Sequence, residues 1–98
     1  MKIYIAGPIT GHRFYKIKFK IAEIILKLRG FAVMNPAWIN AGNQFTWEEY
    51  MDITREMQNV CDAICLLSGW KSSTGARIEE ERAMVNEQLI FYRLRDVQ

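Results

Sequence analysis

The sequence predicts a single α/β domain over residues 1–98, with a Rossmann-like or flavodoxin-like parallel sheet of four to five strands and helices on both faces. Its length is close to that of one ordinary domain. Half of its residues are hydrophobic, which suffices for a core without disulfides or a structural metal. Short β-favouring runs alternate with stretches of helical spacing, as in right-handed βαβ units.

The first strand is predicted at Lys2–Ala6, a short apolar run that Gly7-Pro8 ends. A helix follows and stops at Gly30. One face of this helix carries apolar side chains spaced by three and four residues, namely Phe14, Ile17, Ile21, Ile24, Ile25 and Leu28.

The second strand is predicted at Phe31–Met34, and Asn40–Gln44 is expected to be loop. Thr46 and Glu49 have the spacing of a capping box, so a second helix should begin between them. That helix carries Trp47, Tyr50, Met51, Met57 and Val60.

The third strand, at Asp62–Leu67, is the most strand-like run of the chain. The turn-rich segment Ser68–Gly75 then opens a third helix. Gln88–Tyr92 is a candidate for a last short strand, although Arg93-Leu94-Arg95 could instead extend the helix.

Charge and composition argue against a nucleic-acid polymer or a membrane as the partner. Thirteen basic and eleven acidic residues are mixed along the chain, for a formal net charge of +2. No stretch approaches the length of a membrane span, and we expect a soluble, cytoplasmic protein. Cys61 and Cys65 are expected to be buried thiols, because no further cluster of Cys or His offers metal ligands.

Ligands of parallel α/β sheets bind in the loops beyond the carboxyl ends of the strands. Three segments of this chain fall at that edge, namely Gly7–Gly11, Asn35–Asn43 and Ser68–Gly75. The sequence therefore predicts a small-molecule site formed by these loops.

The segment before the third helix is the most informative of the three. Its hydroxyls and backbone N–H groups at a helix start favour an anion, although Ser73 or Thr74 is also explained as a simple N-cap. Glu79 follows within two turns, where the helix dipole favours the ionised carboxylate. From the residues alone, a run such as Glu79-Glu80-Glu81 is more often a solvated acidic turn than a functional site.

Two segments form a recognisable pair: Tyr4-Ile5-Ala6-Gly7-Pro8-Ile9-Thr10-Gly11 and Ser73-Thr74-Gly75-Ala76-Arg77-Ile78-Glu79. Together they resemble the nucleoside 2-deoxyribosyltransferase superfamily, which includes the deoxyribonucleoside 5′-monophosphate N-glycosidases. The likeness spans nearly the whole chain and is closest to a small branch common in phages and bacteria. It continues through Asn35-Pro36-Ala37, Cys61-Asp62-Ala63-Ile64 and Gly69-Trp70.

The resemblance implies that Glu79 is a nucleophile that attacks C1′ of a deoxyribose and forms a covalent glycosyl-enzyme. Tyr4 corresponds to the tyrosine that orients this glutamate by a hydrogen bond; on its own it is also explained as an aromatic sheet residue. The implied reaction needs neither a metal nor an organic cofactor.

The resemblance also assigns the substrate contacts. Ser73 and Gly75 match the residues that hold a 5′-phosphate in the monophosphate hydrolases. Gly7, Ile9 and Gly11 would surround the base or the sugar, or the glycines serve only the turn. In this family a neighbouring subunit often completes the pocket, so we expect a homo-oligomer. Trp38, Trp47 or Trp70 would then line an interface or stack on a base.

One departure from the family bears on turnover. Family enzymes generally carry a further aspartate eight residues before the aspartate that opens the third strand, and here that position is Thr54. General acid–base help is worth roughly 10²–10⁴ in rate, so its loss is costly. Two functions therefore follow from the sequence, an N-glycosidase or deoxyribosyltransferase and a non-catalytic nucleotide-binding or sequestering module. A protein-interaction domain that uses exposed tryptophans has less support.

Overall fold

The computed structural model describes residues 1–39 and 44–98. The strands are β1 (Lys2–Ala6), β2 (Ala32–Met34), β3 (Ala63–Leu66) and β4 (Leu89–Phe91). The helices are α1 (Tyr15–Leu28), α2 (Trp47–Asn59) and α3 (Thr74–Val85), joined by 3₁₀ turns at Pro36–Trp38, Trp70–Ser72 and Leu94–Asp96. The predicted last strand is confirmed, and of the predicted Asn40–Gln44 loop residues 40–43 lie outside the described part.

The four strands form one parallel sheet in the order β2-β1-β3-β4. Ile3 of β1 pairs with Val33, and Ile5 pairs with Cys65 on the other side. The order reverses between β1 and β3, which is the switch point where flavodoxin-like sheets bind their ligands. The predicted α/β class and parallel sheet are confirmed.

Alternation along β1 separates two layers of core. Ile3 and Ile5 point to one face, where α1 packs with Phe19, Ala22 and Leu26. Tyr4 and Ala6 point to the opposite face, which contains Ala83 of α3 and receives Met57 of α2. Helices therefore cover both faces of the sheet, as predicted.

Local signals in the sequence set the helix ends. The backbone N–H of Thr46 donates to the Glu49 carboxylate at 2.8 Å, and the backbone N–H of Glu49 donates to the Thr46 hydroxyl at 3.1 Å. This confirms the predicted capping box. Gly30 follows α1 at a φ of +92°, a conformation in which side chains are strained.

The apolar face predicted for α1 exists, but it points away from the sheet. Phe14, Ile17 and Leu28 are 65%, 58% and 83% exposed, whereas Phe19 and Leu26 of the same helix are fully buried. The sheet contacts a second apolar face of α1, which contains Phe19, Ala22 and Leu26. The outward stripe is therefore additional to the core.

The state of the two cysteines was also predicted from the sequence. Cys61 and Cys65 are free thiols and both are buried, as predicted. Among the residues described, no helix is both long enough and apolar enough to cross a membrane, and no group of three potential metal ligands occurs.

Candidate active site

A cavity of about 260 Å³ opens at the carboxyl edge of the sheet. The loop after β1, the first turn of α2 and the start of α3 enclose it. Glu79 lines the cavity together with Gly7, Ile9, Ser73 and Gly75. This volume lies just below the roughly 300–1,000 Å³ of ordinary ligand pockets, so the cavity suits a ligand at the small end of that class.

Glu79 is held at this cavity by the way α3 packs on the sheet. Ala76 and Ala83 lie on the same side of α3 and are 1% and 0% exposed, so the helix approaches the strands closely. Glu79 between them is only 6% exposed, while Glu81 is exposed. The three glutamates thus do not form a uniformly solvated turn.

The hydroxyl of Tyr4 donates a hydrogen bond to the Glu79 carboxylate. Tyr4 is fully buried in the middle of β1, so its ring cannot turn away from this partner. Burial and the nearby Glu79 charge raise the pKa of Tyr4 well above its usual value, which keeps the phenol a neutral donor. The pair expected from the family resemblance is therefore in contact.

Burial raises the pKa of the Glu79 carboxyl to about 7. The Tyr4 hydrogen bond and the charge of Arg82 lower it, but they do not offset the burial. Burial is the largest of these effects, and it opposes the ionised form that a position near the start of α3 is expected to favour. The carboxyl consequently changes charge near neutral pH.

Neighbouring side chains fix the backbone around Glu79. The Gln58 amide nitrogen donates to the backbone carbonyl of Glu79 at 2.8 Å, and Gln58 itself is fully buried in α2. Arg82 donates to the carbonyl of Met51 at 3.3 Å. Both contacts tie α3 to α2 and hold Glu79 at the cavity.

Thr54 stands where the nucleoside 2-deoxyribosyltransferase superfamily, which the two motifs resemble, has an aspartate. It is fully buried, and its hydroxyl donates to the carbonyl of Met51 at 3.2 Å. A neutral side chain thus occupies this position and does not add a second carboxylate.

Ser73 is the N-cap of α3, since its hydroxyl accepts a hydrogen bond from the backbone N–H of Ala76 at 3.2 Å. It also lines the cavity. The N-cap explanation and the ligand explanation are compatible, because a hydroxyl that accepts one bond can still donate another. Gly75 lies beside it, where a Cβ would be 3.4 Å from the sulfur of Met51.

Of the three residues predicted to contact a ligand in the loop after β1, two line the cavity and one does not. A Cβ on Gly7 would lie 3.1 Å from Cβ of Leu67 and 3.3 Å from the Phe19 ring, so close packing requires glycine there. Ile9 lines the cavity. Gly11 does not, and its φ of +78° accounts for glycine in the turn.

An aromatic wall is the main feature that sequence reasoning missed. Tyr15, Phe45 and Tyr50 line the cavity beside Trp47. Tyr15 begins α1, Tyr50 lies in the first turn of α2, and Phe45 precedes the N-cap of α2. None of them follows a predicted strand. The other tryptophans lie elsewhere: Trp38 donates to Glu23 at 2.8 Å, and Trp70 packs on Tyr92.

Comparison with known proteins gives one match. Residues 1–92 match the family described as "Domain of unknown function (DUF4406)". Neither the curated proteins nor the solved structures contain a match. The matched range includes every residue of the cavity and of the Tyr4–Glu79 pair.

Proposed function

Because the chain belongs to the DUF4406 family, whose function is unknown, we propose a function from the site: an N-glycosidase or deoxyribosyltransferase that acts on a deoxynucleoside or its 5′-monophosphate. The observation that carries the proposal is the buried Tyr4–Glu79 pair at a cavity of about 260 Å³. The family resemblance of the two motifs that supply this pair supports the same reaction.

The proposed chemistry has two steps. The Glu79 carboxylate attacks C1′, a C1′–O bond forms, and the C1′–N bond breaks with its electron pair leaving on the base. Water or a second base then attacks C1′ from the opposite side and releases Glu79. Two displacements at one carbon retain the configuration.

Tyr4 orients the nucleophile in this proposal. Its hydrogen bond fixes one carboxylate oxygen and lowers the pKa of Glu79, which favours the ionised, reactive form. A buried carboxylate is poorly solvated, so little water must be removed before it attacks. Activity should therefore depend on pH around the pKa of this group.

The surroundings support the proposed substrate class. The aromatic wall offers flat apolar surfaces for a base. The start of α3, with Ser73 and Gly75, offers N–H groups and a hydroxyl for a phosphate. The proposal needs neither a metal nor an organic cofactor, and it places the protein in the cytoplasm with a small-molecule partner.

A second function is favoured by one observation. Thr54 is a buried neutral side chain where the family aspartate stands, so the site has one carboxylate less for acid–base work. A non-catalytic nucleotide-binding or sequestering module would keep the cavity without that group. Under this alternative, Glu79→Gln should bind monophosphates at least as well as the wild type, because it removes a negative charge near the phosphate.

The two functions are separated by a base-release assay. Purified protein is incubated with a panel of deoxynucleosides and their 5′-monophosphates, and free base is followed by chromatography. The glycosidase proposal predicts release by the wild type and by the exposed-site control Glu81→Ala, but not by Glu79→Ala. Monophosphates that raise the melting temperature without any base release would instead establish the binding module.

A further inference from the structure

The outward face of α1 carries a continuous apolar stripe on the residues described. Its members are Phe14, Ile17, Ile21, Ile24 and Leu28, each between 47% and 83% exposed. Their spacing of three, four, three and four residues is the a/d repeat of helices that pack against other helices. The buried face of the same helix already supplies the contacts to the sheet. The stripe is therefore unexplained by the fold of one chain.

The size of the stripe exceeds that of ordinary surface hydrophobicity. The exposed parts of the five side chains amount to roughly 600 Å², taking about 200 Å² for a whole large apolar side chain. A contiguous apolar patch above about 400 Å² usually marks an interaction site. Two such faces together bury up to about 1,200 Å², which is the lower bound of a specific, stable interface.

Three lysines beside the stripe bond to groups of their own chain. The Lys18 ammonium donates to the carbonyl of Ser68 at 2.6 Å, and that of Lys27 donates to Glu23 at 2.7 Å. Lys20 also pairs with Glu23, at 3.5 Å. All three ammonium groups thus have a partner within their own chain, while the side chains of Lys20 and Lys27 remain 62% and 53% exposed.

We propose that this face of α1 packs against the same face of a second copy of the chain, about a two-fold axis near Ile21. Ile21 lies midway between Phe14 and Leu28, so the stripe is self-complementary about that point. A contact of this type is closed and buries both stripes at once. The proposal does not depend on the reaction that the cavity performs.

Sedimentation equilibrium over roughly 1–100 µM protein tests the proposal. The wild type should be a dimer in this range, and Ile21→Lys should raise the dissociation constant at least about 30-fold, as for a central interface residue. Val85→Lys is the matched control, since Val85 is 82% exposed on α3 and should leave the dimer intact. Circular dichroism melts verify that both variants fold.

Cross-linking locates the interface without relying on a disruptive change. Ile21→Cys should form a disulfide-linked dimer under mild oxidation, whereas Val85→Cys and the wild type, with Cys61 and Cys65 buried, should not. A wild-type chain that is monomeric at 100 µM would overturn the proposal. So would a dimer that survives Ile21→Lys, a failure of Ile21→Cys to cross-link, or a monomer that binds phosphatidylserine vesicles through the stripe.

Discussion

Replacing Glu79 by Gln should stabilise the protein above neutral pH. In the unfolded chain this carboxyl has an ordinary pKa of 4.5, and burial raises it to about 7 in the fold. Between these values the unfolded state has lost its proton while the folded state keeps it, so the wild type loses stability as the pH rises. Glutamine has a similar size, stays neutral and can accept the hydrogen bond from Tyr4.

The magnitude follows from the pKa difference. Each unit is worth about 1.4 kcal/mol, so the wild type loses about 3 kcal/mol of unfolding free energy through this group between pH 4 and pH 8. The variant does not lose this free energy, because glutamine does not titrate. Its free energy of unfolding minus that of the wild type should therefore increase by about 3 kcal/mol over this range, or about 12–24 °C in melting temperature for a domain of this length.

Urea unfolding of both proteins at several pH values measures this difference. Other titrating groups, including Glu23, affect both chains alike and cancel. Glu81→Gln, on the exposed side of α3, is the matched control for replacing a glutamate of this helix by glutamine. A difference for Glu79→Gln that is constant with pH, or that falls as the pH rises, would refute the burial argument.

Three further predictions concern single residues. Tyr4→Phe removes the hydrogen bond that lowers the pKa of Glu79, so the pH profile of base release should shift from about 7 to higher pH, as measured by initial rates across pH 5–9. Gly7→Ala should lower the free energy of urea unfolding by about 1–3 kcal/mol, because the new Cβ would be 3.1 Å from that of Leu67. Burial alone would raise the pKa of Glu23, but hydrogen bonds from Lys27 and two other donors lower it to about 2. Glu23→Gln should therefore cost about 3 kcal/mol at pH 7, and the loss should shrink as the pH falls from 4.5 toward 2 in the same unfolding assay.

Local patterns were enough to predict most of the fold. The period of the apolar residues located β1 and β3, and the Thr46 and Glu49 pair located the start of α2. These signals act within a few residues, so they can be recognised without knowing the tertiary packing. The observed strand β2 is one residue shorter than predicted at its start, and β3 and β4 are each one residue shorter at both ends.

The direction of the α1 face could not be predicted in the same way. Spacing shows that Ile17, Ile21 and Leu28 share a side, but it does not say whether that side meets the sheet. The sheet instead contacts Phe19 and Ala22, because the second face of α1 is apolar too. A helix with two apolar faces is ambiguous until the strand it packs on is known.

The candidate site was likewise predicted only in part. The sequence predicts that the ligand-binding loops meet at one edge of the sheet. Gly7, Ser73 and Glu79 do line a common cavity there. Tyr50 was missed because it lies inside a helix, and only packing of α2 beside α3 brings it to the cavity. The ionisation of Glu79 depends on how deeply that same packing buries it, which the sequence does not specify.

The most direct test of the central claim is mass spectrometry of the protein itself during turnover. The wild type, mixed with its best deoxynucleotide substrate and quenched with acid within one turnover, should gain the mass of the deoxyribosyl group on the peptide that contains Glu79. Glu79→Gln should gain none. Release of base without any adduct at Glu79, or at an undiminished rate in Glu79→Gln, would contradict the assignment of this carboxylate as the nucleophile.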